Sequence, residues 1–262
     1  MNTGRHFKYS AGHTAIFPLV AAALALQFAL GEAFAAEGRQ LERTGVIRAR
    51  VVTAARLPYL AITPANFNDR TQRWPLIVFL HGGDQSEGNL DRVKENGPPK
   101  FALTNPDFPF VVVAPHLPVG HLWEPDAVFK LVKQVVRRFR IDEGRIYLTG
   151  LSTGGYGTWN TALKYPERFA AVVPVAGGGS TEILIHAEGA HLQALRSLAV
   201  WAFHGGSDPA ISADESQRMI SELQRVGNAA ARLTIFPGAP HDVWSRVYDD
   251  PALYDWLLQQ RR

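Results

Sequence analysis

The feature that most constrains this chain is the string Gly150-Leu151-Ser152-Thr153-Gly154, a Gly-x-Ser-x-Gly motif. Residues 145–149 before it have the apolar pattern of a strand, and a helix-like run begins near Gly155. The chain must therefore turn from strand to helix within about four residues. Such a turn crowds the backbone and favours glycine on either side of the serine. It would hold the Ser152 hydroxyl at the carboxyl edge of a sheet.

Short apolar runs alternate with helical patterns along most of the chain. Continuous apolar runs of this kind are typical of strands that are covered on both faces, as in a parallel sheet. The runs cover residues 76–80, 110–114, 146–149, 170–175, 198–203 and 233–236, and the helical patterns cover 126–139, 212–226 and 251–260. An edge strand over 46–52 with a partner at 59–63 precedes them. This alternation predicts one domain with a doubly wound, mostly parallel α/β sheet and helices on both faces.

The N-terminal segment has the pattern of a secretory signal. Two basic residues precede an apolar run over 15–30, and Ala33-Phe34-Ala35 then offers small residues to a signal peptidase. We expect a signal peptide over 1–35, cleaved after its last residue, and a single domain over 36–262. An uncleaved membrane anchor is the alternative interpretation. Cleavage would export the protein to the periplasm or the exterior, without stable membrane association.

Composition argues against several classes of partner. The 27 basic and 24 acidic residues nearly balance and form no clustered basic run, so nucleic acid is not an expected partner. The chain has no cysteine, which excludes disulfides and thiolate chemistry. The pairs His116/His121 and His186/His191 are five residues apart, a spacing that does not place two ligands on one face of a helix. We therefore expect neither a metal nor a cofactor.

A serine nucleophile needs a base, and the base needs an orienting acid. In a strand–turn–helix serine site these residues follow the order serine, acid, histidine along the chain. Asp208 comes shortly after the apolar run that ends at residue 203, and His241 follows the last run. The sequence thus predicts Ser152 as nucleophile, Asp208 as acid and His241 as base.

Other acids and histidines compete for these roles. Asp214 lies in Ser212-Ala213-Asp214-Glu215, which is typical of a helix start, so we interpret it as first-turn helix charge. Asp242 adjoins the predicted base and cannot easily fold back onto its ring. His81 and His204 are expected to pack under loops through ring hydrogen bonds, because the chain order already supplies a base.

A tetrahedral intermediate also needs two N–H donors for its oxyanion. Thr153, the residue after the nucleophile, should supply one of them. The other should come from the glycine-rich loop His81-Gly82-Gly83-Asp84, and we favour the Gly83 N–H. Gly82 or Asp84 would serve instead if the turn differed by one residue.

Two tryptophans are candidates for the walls of a substrate pocket. Trp123 and Trp244 lie in a loop or at a helix start near the predicted active edge. Core packing is the alternative for both, because aromatic side chains often simply fill volume.

Taken together, the Ser152 motif, the His81-Gly82-Gly83 loop, Asp208 and His241 resemble the α/β-hydrolase superfamily. More narrowly, residues 145–152 and the string Gly154-Gly155-Tyr156-Gly157-Thr158-Trp159 resemble a group of secreted esterases. That group lies near the phospholipase/carboxylesterase, dienelactone hydrolase and prolyl oligopeptidase families. The resemblance covers most of 57–258, and Thr153 departs from it where such sequences often carry Met.

This resemblance implies hydrolysis of a small-molecule carboxylic ester through an acyl-enzyme and without a cofactor, but it does not settle the acyl group. No segment between residues 171 and 200 is long and apolar enough for a lipase lid, so we expect short or compact acyl groups. A serine peptidase of the prolyl oligopeptidase type would use the same three residues and remains an alternative. A non-catalytic binding protein of this fold is a further alternative, although such a protein would normally have lost one of the three.

Overall fold

The computed structural model describes residues 41–50, 54–68 and 71–262. The predicted signal peptide over 1–35 lies outside these residues, so the signal peptide and the domain boundary after it stay predictions. Within the described part of the chain, no helix is both long and apolar enough to cross a membrane.

The described residues form one eight-stranded sheet with the order β1-β2-β4-β3-β5-β6-β7-β8. Strands β3 to β8 run parallel, while β2 is antiparallel to both β1 and β4. The strands are β1 (Leu41–Arg50), β2 (Ala54–Thr63), β3 (Trp74–Leu80), β4 (Val111–Pro115), β5 (Ile141–Leu151), β6 (Ala171–Val175), β7 (Ala199–Gly205) and β8 (Arg232–Phe236). The predicted doubly wound, mostly parallel sheet is confirmed.

Helices cover both faces of the sheet, which divides the buried side chains into two layers. The helices are α1 (Gly97–Thr104), α2 (Pro125–Arg138), α3 (Thr153–Lys164), α4 (Glu182–Ile185), α5 (Gly189–Ser197), α6 (Ala213–Arg225), α7 (Trp244–Tyr248) and α8 (Pro251–Gln259). Alternate residues of β3 face opposite layers, as the two-residue period of a strand requires: Val78 packs in one layer and Phe79 in the other.

Strand β5 is longer than the apolar run predicted, because it begins at Ile141 instead of residue 146. Its first half carries partly exposed polar residues, and only the second half is fully buried. Apolar runs reveal the buried part of a strand and miss an extension of this kind. Helix α3 likewise begins at Thr153, two residues before the predicted start, so the turn at Ser152 is tighter than expected.

The parallel strands place several loops at one edge of the sheet. The segments that follow β3, β5, β7 and β8 all leave from carboxyl ends, and they contain the predicted site residues. In open α/β sheets this edge is where ligands bind.

Candidate active site

Ser152 lies at the junction of β5 and α3 with a backbone φ of 54° and ψ of −118°. A positive φ is strained for any residue with a Cβ and persists only where surrounding contacts impose it. Here the Ser152 N–H donates to the Val175 carbonyl at the end of β6, at 2.9 Å. The neighbouring strand therefore holds Ser152, the candidate nucleophile, in its strained conformation.

Glycines surround this turn because backbone atoms occupy the space that side chains would need. A Cβ at Gly154 would collide with the Leu80 carbonyl at the end of β3, and one at Gly150 would collide with the Gly154 carbonyl. A Cβ at Gly155 would lie 2.7 Å from the Val175 oxygen. The first turn of α3 thus packs directly on the ends of β3 and β6.

Three predicted residues meet at the carboxyl edge in one hydrogen-bonded chain. The Nε2 atom of His241 lies 2.9 Å from the Ser152 hydroxyl oxygen. The Nδ1 atom of His241 lies 2.6 Å from an Asp208 carboxylate oxygen. A carboxylate can only accept, so Nδ1 carries the proton, and a neutral His241 then offers the Nε2 lone pair to the serine O–H.

The Asp208 side chain is fully shielded from solvent, and both of its carboxylate oxygens accept hydrogen bonds. Its Oδ1 accepts the N–H groups of Ala210 at 2.8 Å and Ile211 at 2.9 Å. Its Oδ2 accepts from His241, and the Nε2 atom of His204 lies 3.2 Å from the same oxygen. Burial alone would raise the pKa of this carboxyl. The hydrogen bonds outweigh burial and lower its pKa, so the group stays ionised.

The competing acids lie apart from this chain. Asp214 is exposed in the first turn of α6, where its N–H donates to the Ser212 hydroxyl at 3.3 Å. Asp242 is exposed beside His241. Neither carboxylate contacts the His241 ring among the hydrogen bonds of the described residues.

The predicted oxyanion donors lie on neighbouring segments beside Ser152. Thr153 is the first residue of α3, and Gly83 is the first residue of a short 3-10 turn, Gly83–Ser86. The first N–H groups of helical segments lack partners within their own segment. A Cβ at Gly83 would lie 3.9 Å from the Thr153 methyl carbon. The Gly82 N–H is instead directed at the Gln85 side-chain oxygen, at 3.4 Å, which favours Gly83 over Gly82.

His81 holds the peptide group that carries the Gly83 N–H. The His81 Nε2 atom accepts the N–H of Leu117 at 2.9 Å, so Nδ1 carries the proton and donates to the Gly82 carbonyl at 2.7 Å. In a trans peptide the carbonyl and the following N–H point in opposite directions. Anchoring the Gly82 oxygen therefore fixes the direction of the Gly83 N–H. Burial lowers the pKa of His81 to about 4, which keeps the ring neutral.

The two tryptophans have different surroundings. Trp123 is only 5% exposed; its indole N–H donates to the His81 carbonyl at 3.0 Å, and a Cβ at Gly157 would collide with it. It packs beneath the His81 loop, which corresponds to the core-packing alternative and not to an open pocket wall. Trp244 is half-buried, and its ring lies perpendicular to that of His241 with centroids 5.3 Å apart. Trp244 therefore borders the site.

Comparison with known proteins finds carboxylesterase-type relatives. A family model for phospholipases and carboxylesterases matches residues 126–251, a span that includes all three residues of the hydrogen-bonded chain. A solved structure of a thermostable esterase is 26% identical with a TM-score of 0.70, over 84% of this chain and 63% of that one. The chain belongs to the α/β-hydrolase superfamily.

Two further similarities cover only part of the other protein. The chain is 32% identical over 121 residues to poly(3-hydroxyalkanoate) depolymerase C of Paucimonas lemoignei; the match covers 40% of this chain and 28% of that protein. The chain thus spans well under half of that relative's length. A putative dipeptidyl aminopeptidase IV of Bacteroides ovatus is 18% identical with a TM-score of 0.65, over 85% of this chain and 36% of that one. That likeness shows the fold alone.

Sequence reasoning did not foresee two features of this candidate site. His204 was expected to make ring hydrogen bonds, and it does so with Ser216 and Ile211, but its contact with Asp208 was not anticipated. Gln85 fixes the Gly82 N–H and was not singled out at all. The sequence signal that could have pointed to Gln85 was its position two residues after Gly83, close to the loop expected to supply an oxyanion donor. No cluster of three or more His, Asp or Glu side chains suited to a metal ion occurs in the described part of the chain.

We predict that His81 makes the stability of this protein depend on pH. Its folded-state pKa of about 4 lies below the ordinary 6.5, so the unfolded chain binds the extra proton as pH falls between these values. Stability is therefore lost as pH falls through this window, by ~3 kcal/mol in total. His81→Asn removes this titration, and urea unfolding from pH 7 to pH 4 should show a shallower loss than in wild type. Parallel curves for the two proteins would contradict the prediction.

Proposed function

We propose that this chain is a serine esterase that hydrolyses carboxylic esters of short or compact acyl groups through an acyl-enzyme. Ser152 would be the nucleophile, His241 the general base and acid, and Asp208 the orienting carboxylate. The N–H groups of Gly83 and Thr153 would bind the oxyanion. The observation that carries the proposal is the continuous chain of hydrogen bonds from Ser152 through His241 to Asp208.

In the acylation half-reaction, the Ser152 oxygen attacks the ester carbonyl carbon while Nε2 of His241 takes the hydroxyl proton. The carbonyl oxygen becomes an oxyanion and accepts the two N–H groups. Collapse of this intermediate breaks the bond to the alkoxy oxygen, and His241 returns its proton to the departing alcohol. The products are an acyl-Ser152 ester and a free alcohol.

In the deacylation half-reaction, a water molecule replaces the alcohol. His241 takes a proton from the water as its oxygen attacks the acyl carbon, and the same two N–H groups bind the second oxyanion. Collapse breaks the bond to the Ser152 oxygen, which recovers its proton from His241. The carboxylic acid leaves, and no redox step or cofactor is needed.

Asp208 supports both half-reactions without exchanging a proton. Its ionised carboxylate keeps the proton of His241 on Nδ1 and stabilises the imidazolium that forms during each proton transfer. The lowered pKa of Asp208 maintains this charge, and its hydrogen bonds to Ala210 and Ile211 fix the plane of the carboxylate.

The preference for short or compact acyl groups follows from the segment between β6 and β7. Only two short helices, α4 and α5, lie there, and their exposed side chains are mostly polar: Glu182, His186 and Glu188 are exposed, beside one large apolar side chain, Ile185. A methylene gains about 0.8 kcal/mol when it is buried, and a polar cover offers no such burial to a long chain. The ratio kcat/KM should therefore stop rising after the first few acyl carbons.

A peptidase is the main alternative, because the same three residues can cleave an amide. The likeness to a dipeptidyl aminopeptidase concerns the fold and adds no information about the scissile bond. The similarity to a polyester depolymerase favours an ester. A non-catalytic binding protein is disfavoured because all three candidate residues are present and hydrogen-bonded.

Ser152→Ala should abolish ester hydrolysis and leave the fold intact. Loss of the nucleophile in such a unit typically costs on the order of 10⁶ in kcat. Turnover of p-nitrophenyl butyrate would be measured alongside circular dichroism, with the exposed Ser197→Ala on α5 as the matched control. Retention of a tenth of wild-type turnover by Ser152→Ala would exclude Ser152 as the nucleophile.

Asp208→Asn should lower kcat by roughly 10⁴, because an amide can favour the wrong tautomer of His241. Asp214→Asn should have little effect, since this exposed carboxylate lies outside the hydrogen-bonded chain. Steady-state kinetics of the two variants under identical conditions provide the comparison. A larger loss in Asp214→Asn would show that the acid is misassigned.

The ratio kcat/KM should rise over the first few acyl carbons and then fall. A series of p-nitrophenyl esters from about two to sixteen carbons tests this expectation, because each carbon adds burial only while the pocket encloses it. A proline anilide in the same panel tests the peptidase alternative. A maximum at the longest chain would refute the acyl preference, and faster cleavage of the anilide than of the butyrate would refute the esterase proposal.

A further inference from the structure

A second imidazole lies against the proposed catalytic acid. His204 is in β7, four residues before Asp208, and its side chain is completely buried. Its Nε2 atom lies 3.2 Å from Oδ2 of Asp208 and 3.0 Å from the carbonyl oxygen of Ile211. Oδ2 is the same oxygen that accepts the Nδ1 proton of His241.

The neighbours of this nitrogen determine where its proton lies. A carboxylate oxygen and a carbonyl oxygen are both acceptors, so an unprotonated Nε2 would face two oxygens without a hydrogen. A buried polar contact without a donor is costly. Nε2 of His204 therefore carries a proton, which it donates to the Ile211 carbonyl, and the same N–H lies beside Oδ2 of Asp208.

The far side of the His204 ring is also anchored. Nδ1 lies 2.7 Å from the hydroxyl oxygen of Ser216, a completely buried residue on α6, and that oxygen lies 3.0 Å from the Gly177 carbonyl. Gly177 in turn packs on Gly155, where an added Cβ would come within 2.9 Å of the Gly155 Cα. The ring is thus fixed between α6 and the segment behind the Ser152 turn.

We infer that His204 is a positioning residue that acts through Asp208. The Nε2–H of His204, anchored on the Ile211 carbonyl, lies beside Oδ2 and attracts it electrostatically, while the N–H groups of Ala210 and Ile211 bind Oδ1. These contacts on both oxygens disfavour rotation of the carboxylate away from the base. The inference rests on the proposed function, because it gives His204 a role in that reaction.

His204→Leu removes the donor, and kcat per active site should fall about 10–100-fold while KM changes by less than about threefold. His204→Gln, whose amide N–H can reach the same oxygen, should recover most of the loss. The matched control is Asn228→Leu: Asn228 is another completely buried polar residue, and it hydrogen-bonds Leu195 and Leu198 away from the site. The concentration of active sites is measured by fluorophosphonate labelling, so that misfolded protein does not lower the apparent kcat.

A double-mutant cycle with Asp208→Asn separates positioning from general stability. If His204 acts through the carboxylate, His204→Leu should change kcat by less than about twofold once Asp208 is already Asn, because residues that act as a unit are not additive. The same 10–100-fold loss in both backgrounds would overturn the inference. An equal loss of kcat in Asn228→Leu would also overturn it.

Two further measurements keep the test decisive. If His204→Leu does not fold, Ser216→Ala frees the ring while leaving every charged group in place, and it should lower kcat in the wild-type background only. If the wild-type protein hydrolyses no ester, the proposed function fails. In that case the positioning is read from the NMR chemical shift of the proton in the His241–Asp208 hydrogen bond. The inference is supported if this chemical shift differs from the wild-type value less in His204→Gln than in Ser216→Ala. It is contradicted if the chemical shift is unchanged in both variants.

Discussion

Close contact between backbone segments at the Ser152 turn is the constraint on which the site depends. The first turn of α3 packs against the Leu80 carbonyl at the end of β3, and the Ser152 N–H is bound by the end of β6. Because β3 leads directly into the His81 loop, the same contact that strains the serine also brings Gly83 opposite Thr153. One packing arrangement thus positions the candidate nucleophile and both candidate oxyanion donors.

Buried hydrogen bonds fix the protons of three histidines around this turn. His81 is held neutral with its proton on Nδ1, His204 carries a proton on Nε2, and His241 faces a carboxylate through Nδ1. Each assignment follows from neighbours that can only donate or only accept. Of the three, only His241 faces a hydroxyl that could be a nucleophile, which is why one histidine is the candidate base and the others are structural supports.

Of the two tryptophans considered as pocket walls, Trp244 borders the candidate site, where its ring lies against that of His241. Trp123 packs under the His81 loop instead. The proposed preference for short or compact acyl groups rests on the segment between β6 and β7, whose exposed side chains are mostly polar.

The fold class could be predicted from the sequence, and so could the meeting of the candidate residues Ser152, Asp208 and His241, because local signals indicate both. Apolar runs mark strands, glycines mark the crowded turn, and the order of the residues along the chain places their loops at one sheet edge. The polar half of β5, the hydrogen bond of the Gly82 N–H to Gln85, the burial of Trp123 and the contact of His204 with Asp208 were decided by the tertiary structure alone. Each of these depends on which atoms from distant segments share a small buried volume, and a linear sequence does not state those distances.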